Sequence, residues 1–229
     1  MRGRVIPPKM WQIMLPRPGD GDAHLDPQNL EDTPGWLREA DDFINTHFSS
    51  DEYTRIRDAW TALKSPGVKS DLLCYLILYI EGGAYTDIDT EALKPIDEWL
   101  NGGAWAEIPH RLQFCQWTIA AAPGHPLFMR MAYHTLDMLD SLAEQHQTAL
   151  ERLELTSFEV MTSSGPSSWT DVTFRGMKST GPRLTGDILI LTIDGFGMGQ
   201  SHSDSTHDGL IPDAALLKHK FRGSWRHGG

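Results

Sequence analysis

Two aspartates separated by one residue, Asp87 and Asp89, are the strongest chemical signal in the sequence. They close the run Tyr85-Thr-Asp-Ile-Asp, which we predict to be a short strand over residues 84–89. Alternate residues of a strand face the same side, so the two carboxylates converge while Ile88 points into the core. Carboxylates so close repel each other unless a cation lies between them. A hard divalent ion such as Mg²⁺ or Mn²⁺ takes oxygen ligands and in turn suits a phosphate-bearing substrate.

The triplet alone does not predict a metal site, because two exposed carboxylates in a turn would have the same sequence. The elements that precede the pair distinguish the two interpretations. Residues 70–80 are apolar almost all round, which predicts a buried helix. Ser70 or Asp71 can cap its start, and Gly82-Gly83 stops it. A buried helix followed at once by a strand is the unit of an open α/β sheet, which binds ligands at the carboxyl ends of its strands. This context favours a metal and phosphate site.

The end of the chain is basic, although the protein as a whole is acidic. Its cations could screen a diphosphate, and His219 could complete a metal's coordination shell. A solvated tail is the alternative, and the aromatic residues between the charges favour docking. The basic residues are Lys218, Lys220, Arg222 and Arg226, and the aromatic ones are Phe221 and Trp225.

Two weaker candidates remain. Trp11 lies near the end of the first predicted strand and could stack on a nucleobase, although a core or rim tryptophan is the commoner outcome. His202 and His207, among Asp204 and Asp208, match no metal spacing that we trust, and a flexible polar loop is favoured there.

Composition excludes some classes of function. The 229 residues carry 20 Lys and Arg against 31 Asp and Glu, a net charge of −11, which argues against a general nucleic-acid binder. Two cysteines, Cys74 and Cys115, are too few for a disulfide scaffold, and whether they pair is left open. The longest apolar run, residues 72–80, is far shorter than the ~20 residues of a membrane-spanning helix.

Alternating elements predict the fold class: an α/β sandwich built on a mainly parallel central sheet. Ser65-Pro66-Gly67 is predicted to end a helix, and 194–212 to be a loop. Strands are predicted over 5–15 (broken by prolines between 6 and 10), 84–89, 112–121 and 187–193, and helices over 36–48, 52–63, 70–80, 125–146 and 169–174.

The run from Asp71 to Thr90 resembles the DXD block of glycosyltransferase family 32, and especially its fungal α-1,6-mannosyltransferases. Further blocks agree in order along nearly the whole chain: 6–12, 93–99, 113–119, 123–126, 165–171 and 219–225. The resemblance implies one GT-A-like, Rossmann-type domain over 1–229, with a nucleotide-sugar half (1–120) and an acceptor half (121–229). It implies a retaining, Mn²⁺-assisted (or Mg²⁺-assisted) transfer from GDP-mannose to a glycan or glycoprotein acceptor. It also implies the Golgi lumen, whereas a chain complete as given would be expected in the cytoplasm.

The resemblance assigns roles by position. Asp89 would bind the metal, Asp87 the metal through water or the ribose, and Asp71 the donor sugar. Tyr85 would line the sugar pocket, and Trp11 would pack on the base. His219, Ser224 and Trp225 would close over the diphosphate, which Lys220 and Arg222 of the basic tail could screen. Asp171 would face the sugar or the acceptor. The catalytic set is thus Asp71, Asp87, Asp89 and Asp171.

Two departures from the family pattern leave alternatives open. Many relatives carry Arg where this chain has Cys74, and the segment 36–41 lacks a longer insert. Losing that Arg removes a fixed cation near the phosphates. A UDP-sugar transferase, or a catalytically weak nucleotide- or glycan-binding relative, is therefore the alternative to a GDP-mannose enzyme.

Overall fold

A computed structural model describes residues 6–13, 40–95, 99, 114–174, 183–185, 188–199 and 205–220 of the chain. The described helices are α1 (Ala40–His47), α2 (Thr54–Ala62), α3 (Pro66–Ile80), α4 (Pro126–Gln145), α5 (Ser157–Ser163), α6 (Pro166–Phe174) and α7 (Ile193–Gly197). Two 3₁₀ turns lie at Asp51–Tyr53 and Leu150–Arg152. The strands are β1 (Met10–Trp11), β2 (Gly83–Thr86), β3 (Thr90–Ala92), β4 (Thr118–Ala121), β5 (Arg183–Thr185), β6 (Ile188–Ile190) and β7 (Leu217–His219). Among the described helices, none is long and apolar enough to cross a membrane.

Helix α3 forms the centre of the core, as its apolar sequence predicts. Eight of its fifteen residues are buried, and it packs against the amphipathic helix α4. Three rings join α3, α4 and α6: Trp169 stacks on Tyr75 at 5.8 Å between centroids and on Phe128 at 5.9 Å. Offset aromatic pairs of this kind add to the burial of their area. The core therefore fixes α6 against the helix that precedes β2.

The start of α3 differs from the prediction. The helix begins at Pro66, and the Ser65 side chain caps it by accepting a hydrogen bond from the Val68 N–H at 3.5 Å. Proline suits the first helical position because its missing N–H has no partner there. Residues 65–67 therefore begin α3, and the prediction that they only end the preceding helix is wrong.

The sheet that carries the aspartate pair is small and mixed. Its strand order is β1-β2-β4, with β1 parallel to β2 and β2 antiparallel to β4. Two further ladders, β3 with β7 and β5 with β6, are antiparallel. The predicted mixture of helices and strands is confirmed, but the described ladders are not mainly parallel. The Rossmann-type GT-A sheet and the two-half division of 1–229 stay predictions.

Several predicted strands are shorter than expected. The strand predicted over 84–89 ends at Thr86, so both aspartates lie beyond it; the one over 112–121 begins at Thr118. Residues 12–13 have no strand partner in the described part of the chain, so β1 is only Met10–Trp11. The short helix α7 lies in the predicted loop 194–212. Periodicity finds such elements but not their ends, because ladder partners decide where a strand stops.

Candidate metal and nucleotide-sugar site

A glycine pair aligns strand β2 for the site. Gly82 and Gly83 have φ of 64° and 97°, in the region that side chains disfavour. A Cβ on Gly83 would lie 2.6 Å from the Lys9 carbonyl oxygen, and one on Gly82 2.7 Å from Pro123. The glycines therefore permit close contact with the segments that contain Lys9 and Pro123 at the start of β2. The aspartates follow the other end of the strand.

The aspartate pair lies in a tight turn between β2 and β3. The Asp87 N–H donates to the Trp117 carbonyl at 2.8 Å. The Asp87 carbonyl accepts from the Thr90 N–H at 3.2 Å, from the Thr90 hydroxyl at 2.6 Å and from the Gln12 amide at 3.4 Å. The two carboxylates therefore converge through a hydrogen-bonded turn and not through the alternation of a strand, which corrects the predicted reason.

Strand β7 places His219 against the turn. His219 pairs in register with Thr90, and the Lys220 N–H donates to the Asp89 carbonyl at 2.9 Å. The His219 Nε2 lies 3.3 Å from Asp89 Oδ1 and 3.7 Å from Asp87 Oδ2. One ligand atom from each of the three residues lies within 4.8 Å of the others. His219 follows Asp89 by 130 positions in the sequence, and the β3–β7 ladder brings it to the aspartate pair.

Two neighbours shape this cluster. The Tyr85 hydroxyl donates to Asp87 Oδ1 at 2.7 Å, and burial raises the pKa of Tyr85 well above its usual value, so the phenol stays a donor. The Trp117 ring lies 5.0 Å from the His219 ring, and its indole N–H donates to the Phe196 carbonyl at 2.6 Å. Both contacts limit the directions that the ligand atoms can face.

The donor set fits a divalent cation. Two carboxylates and one imidazole suit Mn²⁺ and are acceptable to Mg²⁺, which prefers oxygen. His219 is buried, while the Asp87 side chain is 39% exposed, so the cluster opens toward solvent on the Asp87 side. An ion held there would keep open positions for phosphate oxygens.

Asp71 lies in a second polar group of the same region. Its two oxygens accept hydrogen bonds from the Gln116 amide and the Ser164 hydroxyl, each at 2.7 Å. Burial raises the pKa of Asp71 to about 7; both hydrogen bonds act to lower it, and the charge of Asp87 acts to raise it. The carboxyl is therefore poised to change charge near neutral pH.

Other residues with predicted roles lie elsewhere or outside the described residues. The Trp11 indole N–H donates to the Gly82 carbonyl at 2.8 Å, toward the start of β2. Asp171 is exposed on α6, and the Lys220 ammonium is 3.6 Å from Glu91. The structure does not bring Trp11 or Asp171 to the cluster by any described contact, and their roles stay predictions. Arg222, Ser224 and Trp225 lie outside the described residues, as do His202 and Asp204.

The structure also describes the two cysteines and part of the segment 202–208, the weaker candidate metal site. Cys74 is buried and Cys115 half-buried, and both are free. His207 Nδ1 lies 3.1 Å from the Ser205 carbonyl, and Asp194 accepts two hydrogen bonds from Thr206. Within the described residues, Asp87, Asp89 and His219 form the one cluster of three metal-ligating side chains.

Sequence reasoning missed four residues of the site. Gln12 donates to the Thr86 hydroxyl at 3.2 Å, and Gln116, Trp117 and Ser164 contact the residues above. Gln12, Gln116 and Trp117 stand in blocks that carry the family resemblance, and that was the one available signal. Nothing in the sequence marked Ser164.

Comparison with known proteins finds relatives that match this chain in sequence. Residues 25–104 match the family model described as a glycosyltransferase sugar-binding region containing a DXD motif. The chain is 32% identical over 80% of its length to the initiation-specific α-1,6-mannosyltransferase of Schizosaccharomyces pombe. It is 28% identical over 77% of its length to the enzyme of that name from Candida albicans.

The matches have limits of coverage. The chain spans about half the length of these curated relatives, 53% and 59% respectively. One solved structure that matches is the PaToxG glycosyltransferase, at 21% sequence identity. The match covers 53% of this chain and 37% of the PaToxG chain, and its TM-score of 0.31 is too low to assign a fold. The DXD region and the curated relatives thus make this chain similar to glycosyltransferases that contain a DXD motif.

Proposed function

We propose that this chain transfers mannose from GDP-mannose to a glycan acceptor, with retention of configuration and with the help of a divalent cation. The observation that carries the proposal is the convergence of Asp87, Asp89 and His219 within 4.8 Å, in the turn after β2 and on the strand β7 that pairs with β3. The names of the curated relatives, which are α-1,6-mannosyltransferases, support a mannosyl group as the one transferred.

The chain's own residues supply binding and orientation. Asp87 and Asp89 offer carboxylate oxygens, His219 offers an imidazole nitrogen, and the Tyr85 hydroxyl fixes one oxygen of Asp87. A bound Mn²⁺ would stabilise the negative charge of the departing nucleoside diphosphate as a Lewis acid. The acceptor hydroxyl then attacks from the face that the diphosphate leaves, and a departing phosphate oxygen takes its proton.

Cys74 supports the second candidate, a relative that binds a nucleotide or glycan but turns it over weakly. The thiol is 1% exposed, and burial raises its pKa well above the usual value, so it adds no charge near the phosphates. A UDP-sugar is the alternative donor for an active enzyme. These possibilities differ in what they bind and in whether they react.

A thermal shift series separates them. The chain is heated with GDP or UDP, each with and without Mn²⁺, because a ligand of the folded state raises stability by RT ln(1 + [L]/Kd). A GDP-mannose enzyme is stabilised by GDP only when Mn²⁺ is present. Transfer and donor hydrolysis are then measured over a panel of nucleotide sugars. Binding without turnover supports the weak relative, and no shift with either nucleotide refutes the proposal.

A further inference from the structure

Asp71 is a carboxylate in an apolar helix. It is the single acidic residue of α3, and it stands directly before the run of buried residues 72–78. A carboxylate withdrawn from water is costly unless hydrogen bonds replace its hydration. Each of its two oxygens has such a bond, from Gln116 and from Ser164, which are 45 and 93 positions away in the chain.

Gln116 connects Asp71 with the aspartate turn. The residue that follows it, Trp117, accepts the Asp87 N–H through its carbonyl and packs its ring 5.0 Å from that of His219. Two consecutive residues therefore contact Asp71 on one side and the cluster of Asp87, Asp89 and His219 on the other. A displacement of this short segment would move both groups together.

Ser164 fixes Asp71 from the opposite side. It lies between α5 and α6, is fully buried, and accepts the Tyr75 hydroxyl through its carbonyl at 2.6 Å. Asp71 and Tyr75 are four residues apart on α3 and thus share one face of the helix. The Ser164 carbonyl thus holds Tyr75 of α3 by a hydrogen bond, whereas the Ser164 hydroxyl donates to Asp71.

We propose that Gln116 and Ser164 are positioning residues that hold the Asp71 carboxylate as an acceptor for a hydroxyl group of the donor sugar. The inference rests on the proposed function, which supplies the sugar. Two donors that approach from separate segments leave the carboxylate one orientation. Each of its oxygens keeps a lone pair that can accept a further hydrogen bond from a ligand hydroxyl.

The charge of Asp71 is part of this role. Burial raises its pKa to about 7, and the charge of Asp87 acts in the same direction. The two hydrogen bonds oppose this and keep the ionised, accepting form available at neutral pH. The other titratable groups that act on this region, Cys74, Tyr75 and Tyr85, have raised pKa values and stay neutral.

The test compares Gln116→Met and Ser164→Ala with the control Ser168→Ala, all in the full chain. Ser168 is also buried, and its hydroxyl donates to the Ser163 carbonyl at 3.1 Å, so the control removes a neighbouring hydrogen bond while the first two changes remove a bond to Asp71. Donor hydrolysis is followed from pH 5.5 to 9 with Mn²⁺ and the nucleotide sugar that the wild type uses fastest. For both variants we expect about tenfold lower kcat/KM at pH 7 and an acid limb about one pH unit higher. Activity should recover toward the wild-type value at pH 9.

The control decides between positioning and mere packing. Ser168→Ala should lower the melting temperature but leave the midpoint of the acid limb in place. An unshifted limb in both Gln116→Met and Ser164→Ala, or an equal shift in Ser168→Ala, overturns the inference. If the wild type turns over none of the nucleotide sugars, the proposed function fails and this inference with it. Should one variant not fold, the other gives the same comparison.

Discussion

Asp89→Asn is the most direct perturbation of the candidate cation site. The substitution keeps the shape of the side chain but removes one of the two negative charges that would hold the ion. Asp89 is the more enclosed of the two aspartates, since its side chain is 15% exposed against 39% for Asp87. Its loss should therefore weaken Mn²⁺ binding strongly, while the backbone of the turn stays intact.

The expected size follows from two estimates. With Mn²⁺ at one hundred times its Kd, the wild type gains about 2.7 kcal/mol. For a chain of this length that is about 5–10 °C in melting temperature. If the lost ligand weakens binding about 100-fold, the same Mn²⁺ concentration gives only about 0.4 kcal/mol, roughly 1 °C. The shift should nearly vanish.

The ion-free protein gives a second readout. Oxygens of Asp87 and Asp89 within 4.8 Å repel by ~1 kcal/mol in water and ~3.5 kcal/mol at an effective dielectric constant of 20. The exposure of Asp87 favours the lower value, so Asp89→Asn should be at least as stable as the wild type without metal. Thermal melts at pH 8, with and without Mn²⁺, measure both effects.

A matched control makes the same Asp→Asn substitution at a position outside the candidate cation site. Asp137→Asn also replaces an ion-paired carboxylate, which lies 2.7 Å from Arg55 on the surface and contributes little to stability. It should retain the full Mn²⁺ shift. The reasoning is refuted if Asp89→Asn keeps that shift as well, or if it loses no activity in donor hydrolysis.

Three further outcomes are expected. Gly199→Ala should lower the free energy of unfolding by about 1–3 kcal/mol and displace His219, because Gly199 has a φ of 103° and an added Cβ would lie 2.8 Å from the His219 carbonyl oxygen. Melts without Mn²⁺ would show the loss of stability, and melts with Mn²⁺ would show the loss of ion binding. Burial raises the pKa of Asp71 to about 7, so the folded state keeps the Asp71 proton to a higher pH than the unfolded chain does, and this residue's contribution to stability falls as pH rises from about 4 to 7. Asp71→Asn should therefore be more stable than the wild type at pH 8. In urea titrations it should lose that advantage by pH 4. Trp169→Ala should cost about 3–5 kcal/mol in the same titrations, because it removes the buried ring that stacks on Tyr75 and Phe128, and a loss below 1 kcal/mol would contradict that packing.

Local signals in the sequence found most elements but not all of their ends. The apolar run of α3 and the amphipathic pattern of α4 were sufficient to predict two buried helices. The capping role of Ser65 was missed because the same Ser-Pro-Gly triplet is compatible with the end of one helix and the start of the next. The ends of β2 and β4 depend on each other's register, which no local pattern contains.

The sequence by itself determined the residue types of the site: a pair of carboxylates after a glycine break, an aspartate on a buried helix, and a histidine near the end of the chain. These follow from spacing and from family resemblance, because such signals are local. Only the tertiary structure decided that a turn, rather than a strand, joins Asp87 and Asp89, and that the β3–β7 ladder brings His219 to 3.3 Å from Asp89. It also decided that Gln116 and Ser164 meet at Asp71, because contacts between residues far apart in the chain arise from the packing of whole elements.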